Sequence, residues 1–325
     1  MRILGIVGSR RKLGNTEIMV KEALKGAREE GAEIAILRIT DLYVKECNGC
    51  EACVIKGEEC RLNDDMAFFE EQLNMSDGLI IGGADYAGAP LGIFKTIGDR
   101  LHGLRSWIER AESKKASTKK AITIGAAGWR HLQYWIIPLL NSFAALCGCE
   151  VLASFVGISV GPGEVLLPER EAIPRQVNRL GRDLVLALKG EEERLSPAVH
   201  RLTIFDPEAR GEKLFTEHDC CPYCFSTAFQ LVSAMELRCA FCHYTTVYLR
   251  PRGSRIELHF EVMNEEQRLE EAKRHLEEEI RPSGPRFLSR RAEIEPKRRL
   301  YQDIGIDWEK PPVGSSIFKR DGLGP

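Results

Sequence analysis

Short apolar runs alternate with helically spaced apolar positions through the first part of the chain. Residues 2–7 form a compact apolar run of the kind that makes a buried strand. Residues 15–30 then carry Ile18, Met19, Ala23, Leu24 and Ala27 on one helical stripe, and Gly31 follows as a stop. Further strands are expected at 33–38, 78–82, 120–125 and 150–160, and further helices at 64–74, 90–110, 132–147 and 169–189. Pro90 lies near the start of its helix, where a missing N–H costs little. The order βαβαβαβαβα predicts an α/β fold with a doubly wound, five-stranded parallel sheet. Ligands in such folds bind outside the carboxyl ends of the strands.

Beyond Gly190 the pattern changes. The charged stretch 190–195 reads as a linker. Runs at 200–205, 228–233, 244–250 and 255–262 read as antiparallel strands, with Pro251-Arg252-Gly253 as a hairpin turn. A helix is expected over 264–280, with Asn264 as N-cap and Gln267 completing a capping-box-like pair. Its narrow stripe of Leu269, Ala272, Leu276 and Ile280 suits docking on a partner surface. From Pro282 onward Pro, Gly and Arg occur without periodicity, as in an extended tail. The expected domains are 1–190, a small β domain over 197–262, and a helix with tail over 263–325.

The composition adds bounds. In 325 residues, 43% are hydrophobic and 29% charged, enough for a sizeable core and too apolar for wholesale disorder. The net charge of -2 disfavours nucleic acid as a partner, and the basic stretch Arg250–Arg255 and the basic tail read as solvated or as oligomer contacts. The longest apolar stretch, 135–149, contains Pro138 and Asn141 and falls short of the roughly 20 residues of a membrane span. The apolar run 3–7 ends in Arg10-Arg11-Lys12, unlike a signal peptide. A soluble, cytoplasmic protein is expected.

Eleven cysteines are many for such a chain, and eight fall into two quartets: Cys47, Cys50, Cys53 and Cys60, then Cys221, Cys224, Cys239 and Cys242. Without a secretion signal this spacing points to metals, not disulfides. Three cysteines at every third position can each take one iron of a cube, and the fourth closes a [4Fe–4S] cluster. A zinc knot or a metal-free loop is the alternative. The second quartet has the two C-x2-C knuckles of a zinc ribbon. Rubredoxin-like iron uses the same ligand set, but zinc is favoured because no glycine follows Cys224 or Cys242 and the spacing between knuckles is short. His218, Cys220 and His243 lie outside the ligand set, and Cys147 and Cys149 read as core.

The loop 8–16 is neither G-x-G-x-x-G nor a P-loop. Ser9 and Thr16 hydroxyls, the Asn15 amide, Arg11 and the helix-start N–H groups suit a terminal phosphate. A tight turn with an N-cap would use the same residues.

Gly8-Ser9-x-Arg11-Lys12-x-Gly14-Asn15-Thr16 resembles the phosphate loop of the flavodoxin-like NAD(P)H-dependent FMN reductases. Asp85-Tyr86-Ala87-Gly88, followed by Lys95 and Asp99-Arg100, is similar to that family's Pro-x-Tyr-x-Gly segment along the flavin ring. Ala84 stands where the family often has Pro, and Gly128 is the match in the third loop. Trp129 reads either as a flavin-stacking residue or as a buried aromatic. The first cysteine run with Asp64-Asp65-Met66 resembles the iron–sulfur flavoproteins within that superfamily, over about residues 1–190.

The resemblance implies a flavodoxin-like domain with FMN held by Ser9, Arg11, Gly14, Asn15, Thr16, Ala84, Asp85, Tyr86, Ala87, Gly88 and Gly128. It implies a [4Fe–4S] cluster and electron transfer between the two centres. It also implies a homodimer or homotetramer with flavin and cluster near a subunit interface, and a redox partner. Backbone N–H groups of Asn48, Gly49 and Glu51 would tune the cluster. That family does not normally carry the second quartet. The expected function is a flavin-dependent oxidoreductase or electron carrier. Alternatives are an NAD(P)H-dependent FMN or quinone reductase without a cluster, and a redox-responsive regulator whose ribbon binds nucleic acid or protein. No catalytic acid or base stands out, since flavin and cluster carry such chemistry.

Overall fold

A computed structural model describes residues 1–56, 60–101, 119–128, 135–158, 161–197, 199, 202–206, 211–215, 220–274 and single positions between 277 and 292. It divides into two compact units, Met1–Arg274 and His275–Pro325. Both sheets lie in the first unit. No helix among the described residues is long and apolar enough to cross a membrane.

The first half builds β1 (Arg2–Gly8), α1 (Asn15–Glu29), β2 (Glu33–Arg38), α2 (Ala52–Ile55), α3 (Met66–Asn74), β3 (Gly78–Tyr86), β4 (Ala89–Pro90), α4 (Ile93–Gly98), β5 (Lys119–Ala127), α5 (Ile136–Leu146), β6 (Cys149–Ile158) and α6 (Ala172–Lys189). The main sheet runs β2-β1-β3-β5-β6-β7-β8, where β7 is Leu202–Asp206 and β8 is Gly211–Phe215. The five expected strands are present and parallel.

Two expectations need correction. The pattern assigns the run near 200–205 to the second domain, yet β7 pairs parallel with β6 and β8 closes the edge antiparallel. Leu202 and Thr203 are buried there, so the strand covers the edge of β6 that five strands alone would leave open. The pattern assigns Pro90 to a helix, yet it lies in β4, paired with Asp85 of β3. A ring without an N–H is tolerated in such a short edge strand. The helix beyond begins only at Ile93, and its expected continuation past residue 101 lies outside the described residues.

Strand alternation sends Leu4 and Ile6 to one face and Ile3 and Val7 to the other. The first face meets Phe69, Phe94, Leu140 and Phe143 of α3, α4 and α5. The second meets Val20 and Leu24 of α1 and Val177 and Leu184 of α6. Near their carboxyl ends three strands place Gly8, Gly83 and Gly125 side by side. A Cβ there would meet the Phe94 ring at 2.0 Å, Leu140 at 2.9 Å and Ile136 at 3.3 Å. α4 and α5 therefore press directly on the strand ends.

The second sheet is antiparallel, in the order β12-β11-β10-β9, with β9 Phe229–Ser233, β10 Glu236–Cys239, β11 Thr245–Arg252 and β12 Arg255–Val262. Sequence pattern missed β10, a strand of four residues. The closing helix is α7 (Glu265–Arg274). Its capping box is reciprocal: Asn264 N–H donates to Gln267 Oε1 at 2.9 Å, and Gln267 N–H to Asn264 Oδ1 at 2.8 Å.

α1 and α6 touch backbone to backbone. A Cβ on Gly181 would lie 1.8 Å from the Ala23 carbonyl oxygen, whereas one on Gly92 would meet nothing within 4 Å. Gly181→Ala should cost about 3 kcal/mol or more in urea unfolding, because backbone cannot yield as a side chain can. Gly92→Ala should change stability by no more than about 0.5 kcal/mol.

Candidate functional site

Gly8, Gly83 and Gly125 fix the strand ends, so the loops after β1, β3 and β5 share one carboxyl edge. After β1, Ser9 is buried, and its hydroxyl accepts the Arg11 N–H at 3.3 Å. The Ser9 carbonyl accepts Arg38 Nη2 at 2.9 Å and Thr40 Oγ1 at 3.2 Å, which pins the loop to β2 and the turn beyond it. Leu13 is left-handed at φ 53° and donates its N–H to Glu17 Oε2 at 2.9 Å. Gly14 is the N-cap of α1 and supplies no side-chain cap, as a residue without a side chain must. Asn15 and Thr16 are buried there, and Asn15 Nδ2 donates to the Gly161 carbonyl at 2.9 Å.

Arg11 is exposed. Glu17 would oppose an anion, but Arg38 and Lys21 pair with it. Burial pushes its carboxyl up, yet the Lys21 and Leu13 hydrogen bonds and the charges of Arg38 and Lys21 outweigh burial and hold it below the ordinary range. The loop as a whole suits a phosphate dianion.

After β3 the chain forms a hairpin, where the sequence suggested a loop. Ala87 and Gly88 are consecutively left-handed, at φ 55° and 89°, which makes a type I′ turn between Tyr86 and Ala89. Alanine at the first of these positions hid the signal, since Asn or Asp is usual there. Ala84 lies opposite Ala126 of β5. Trp135, just before α5, donates its N–H to the Gly88 carbonyl at 3.2 Å. Asp85 Oδ1 is buried and accepts no hydrogen bond among the described residues. Burial pushes this carboxyl up, against a hydrogen bond from the Gly88 backbone. Tyr86 and Gly128 are exposed, while Trp129 lies outside the described residues.

The first cysteine loop follows β2. Cys47 and Cys50 are exposed, and Cys53 and Cys60 half-buried. Gly49 at φ 66° and Glu51 at φ 58° turn the chain sharply between the cysteines. Gly49 N–H donates to Cys47 Sγ at 3.5 Å. A cavity of about 520 Å³ is lined by Asn48, Cys50, Lys56, Cys60 and Arg61, among others.

Arg100, which the sequence places with the flavin-side segment, instead anchors this loop. Arg100 is only 2% exposed, and its Nη2 donates to Cys60 Sγ at 3.4 Å. Its Nη1 donates to the Lys45 carbonyl at 3.1 Å and pairs with Asp64, whose side chain is fully buried. Asp64 also accepts the Lys45 N–H at 2.7 Å and the Met66 N–H at 3.2 Å. Asp65 accepts the Tyr43 N–H at 2.7 Å. The Asp64-Asp65-Met66 triplet thus staples the stem of the loop to the start of α3. Burial pushes Asp64 up, but its hydrogen bonds from Arg100, Lys45 and Met66 and the Arg100 charge prevail and hold it low.

The second quartet has a different geometry. Cys221, Cys224, Cys239 and Cys242 place all four sulfurs within 4.8 Å of one another, and among the described residues only this group does so. The Cys221–Cys242 and Cys224–Cys239 sulfur distances are both 3.6 Å. One tetrahedral ion with metal–sulfur bonds of about 2.3 Å sets its ligands about 3.8 Å apart. A cube spreads its ligands over four irons, so the first quartet is not expected to crowd in this way. Phe225 and His243, each following the second cysteine of a knuckle, are left-handed at φ 60°. The turn that glycine usually serves forms here without it. Phe225 N–H donates to the Cys221 carbonyl at 2.8 Å, and His243 N–H to the Cys239 carbonyl at 3.2 Å. The close Cys224 thiol pulls Cys221 down to about 7, and the same contact pushes Cys224 up. Cys220, Cys147 and Cys149 pack in the main core, and His218 lies outside the described residues.

Residues 1–162 match the family described as NADPH-dependent FMN reductase. An iron-sulfur flavoprotein of Archaeoglobus fulgidus is 35% identical over 167 residues, covering 51% of this chain and 72% of that protein. An iron-sulfur flavoprotein of Methanocaldococcus jannaschii is 35% identical over 105 residues, covering 32% of this chain and 54% of its own length. One of Methanosarcina thermophila matches with the same identity, length and shares. The alignments with these last two span about half of each relative. The chain belongs to the iron–sulfur flavoproteins. A solved structure described as flavone reductase superposes with a TM-score of 0.65 at 20% identity, covering 96% of this chain and 100% of that one, and it supports the fold.

Asp64→Asn should cost about 3–5 kcal/mol at neutral pH, because it strands the buried Arg100 charge. The folded pKa of Asp64 lies below its unfolded value of about 3.9. Its contribution is therefore complete above that value and drains as pH falls through the folded one. The gap between wild type and variant in urea midpoints should narrow below about pH 4.

Proposed function

We propose that the chain is an oxidoreductase in which FMN, held at the carboxyl edge of the main sheet, exchanges electrons with a [4Fe–4S] cluster on Cys47, Cys50, Cys53 and Cys60. The observation that carries this reading is the anchoring of Cys60. A buried guanidinium, itself neutralised by Asp64, gives that sulfur a fixed hydrogen bond. A ligand thiolate needs such a partner, and hydrogen bonds to sulfur are a lever on cluster potential.

The residues fit the flavin. The α1 N-terminus with Ser9, Thr16 and the exposed Arg11 offers donors to the phosphate. The hairpin Asp85–Gly88, with Ala84 and Gly128 beside it, would lie along the ring. Asp85 Oδ1 offers a buried acceptor for a ring or ribityl donor. When bound, FMN supplies two-electron uptake with one-electron release, which suits passage to a one-electron cluster. The chain's part is positional: Arg38 and Thr40 hold the phosphate loop, Trp135 N–H holds the hairpin, and Arg100 holds the Cys60 sulfur.

The cysteine loop faces outward, since Cys47 and Cys50 are exposed. That supports a cluster which meets a second copy of this chain or a redox protein. Cys50→Ser, purified without oxygen, should lose the iron and sulfide of this site, together with the cluster's paramagnetic signal after reduction, and should keep FMN. A wild-type protein that binds FMN but never acquires inorganic sulfide contradicts the cluster and leaves a flavin reductase.

A further inference from the structure

The second quartet lies outside the flavin and cluster site, yet its two knuckles grip the helix that supports the flavin hairpin. Asn141, on α5, is only 2% exposed, and its Nδ2 donates to the Cys224 carbonyl at 3.0 Å. Its Oδ1 accepts the Thr123 hydroxyl of β5 at 2.6 Å and the Ser154 hydroxyl of β6 at 3.2 Å. The first knuckle is thereby tied through one amide to the centre of the main sheet. The other knuckle reaches the start of α5. Phe241, between Cys239 and Cys242, packs its ring 6.1 Å from that of Trp135. Trp135 is the residue whose N–H donates to the Gly88 carbonyl of the hairpin.

We propose that Cys221, Cys224, Cys239 and Cys242 hold one zinc ion, and that this closed site positions the flavin-side hairpin by clasping α5 through Asn141 and Phe241. The sulfur spacing is that of a single tetrahedral ion. Three of the four cysteines are buried, and all four positions are filled by protein, as in structural zinc sites. Metal binding fixes both knuckles at once, because each knuckle supplies two ligands. Without the ion the four crowded thiols hold the knuckles only weakly, and the two contacts on α5 lose their rigid base. The hairpin half of the proposal rests on the flavin reading above.

The test compares full-length wild type, Cys242→Ser and Phe241→Ala for zinc content, amide hydrogen exchange and FMN affinity. Wild type should carry one zinc per chain, with the Trp135 amide protected. Cys242→Ser should lose zinc, expose the Trp135 amide to exchange and weaken FMN binding about tenfold, the scale of one lost hydrogen bond. Unchanged protection in the core strands of the main sheet would show that its fold survives. Phe241→Ala should keep zinc yet show faster exchange at Trp135. Iron in place of zinc in the wild type overturns the metal assignment. Unaltered exchange at Trp135 in a zinc-free Cys242→Ser overturns the clasp. A zinc-loaded wild type with a protected Trp135 amide that binds no FMN supports the clasp and removes the flavin reading alone.

Discussion

Three glycines without side chains set the working edge of this molecule. Gly8, Gly83 and Gly125 sit in register across β1, β3 and β5, and the space a Cβ would fill is taken by Phe94, Leu140 and Ile136. Two helices can therefore rest against the strands close to their carboxyl ends. The phosphate loop, the Asp85 hairpin and Gly128 all depart from that braced row. Sites at the carboxyl ends of parallel strands depend on such placement, because their loops carry little core of their own.

Sulfur from the same residue type is organised in two ways. The second quartet is compact and largely buried, built on two knuckles whose left-handed turns fall on Phe225 and His243. The first quartet is strung along an outward loop, with Gly49 and Glu51 turning the chain between cysteines. Its order comes from its stem, where Asp64 and Asp65 bind the backbone of Lys45 and Tyr43. Buried Arg100 then links that stem to Cys60. A compact set suits one ion, while an outward set with a charged anchor suits a centre that exchanges electrons at a surface.

Much of this was legible in the sequence. Apolar runs gave β1, β2, β3, β5 and β6, and helical spacing gave α1, α3 and α6 close to their observed bounds. Asn264 and Gln267 cap one another as their spacing suggests. The cysteine spacings separated a loop motif from a ribbon. What escaped the sequence depends on distant partners. β7 looks like any short strand until the open edge of β6 claims it. Asn141 interrupts an apolar stretch, and only the fold shows that it bridges β5, β6 and the first C-x2-C knuckle of the second quartet. Arg100 reads from sequence as part of the segment that resembles the flavin-side segment, yet it is buried against a cysteine forty positions earlier. Such single polar residues carry no period, so no pattern along the chain announces them.

The central claim is that the two quartets hold different centres beside one flavin. Native mass spectrometry of the anaerobically purified chain tests it most directly, since it weighs each intact protein with its bound groups. The account predicts one mass increment for FMN, one for a cluster of four irons with four sulfides, and one for zinc on every chain. A species carrying FMN and one metal ion, with no sulfide in any preparation, would contradict it.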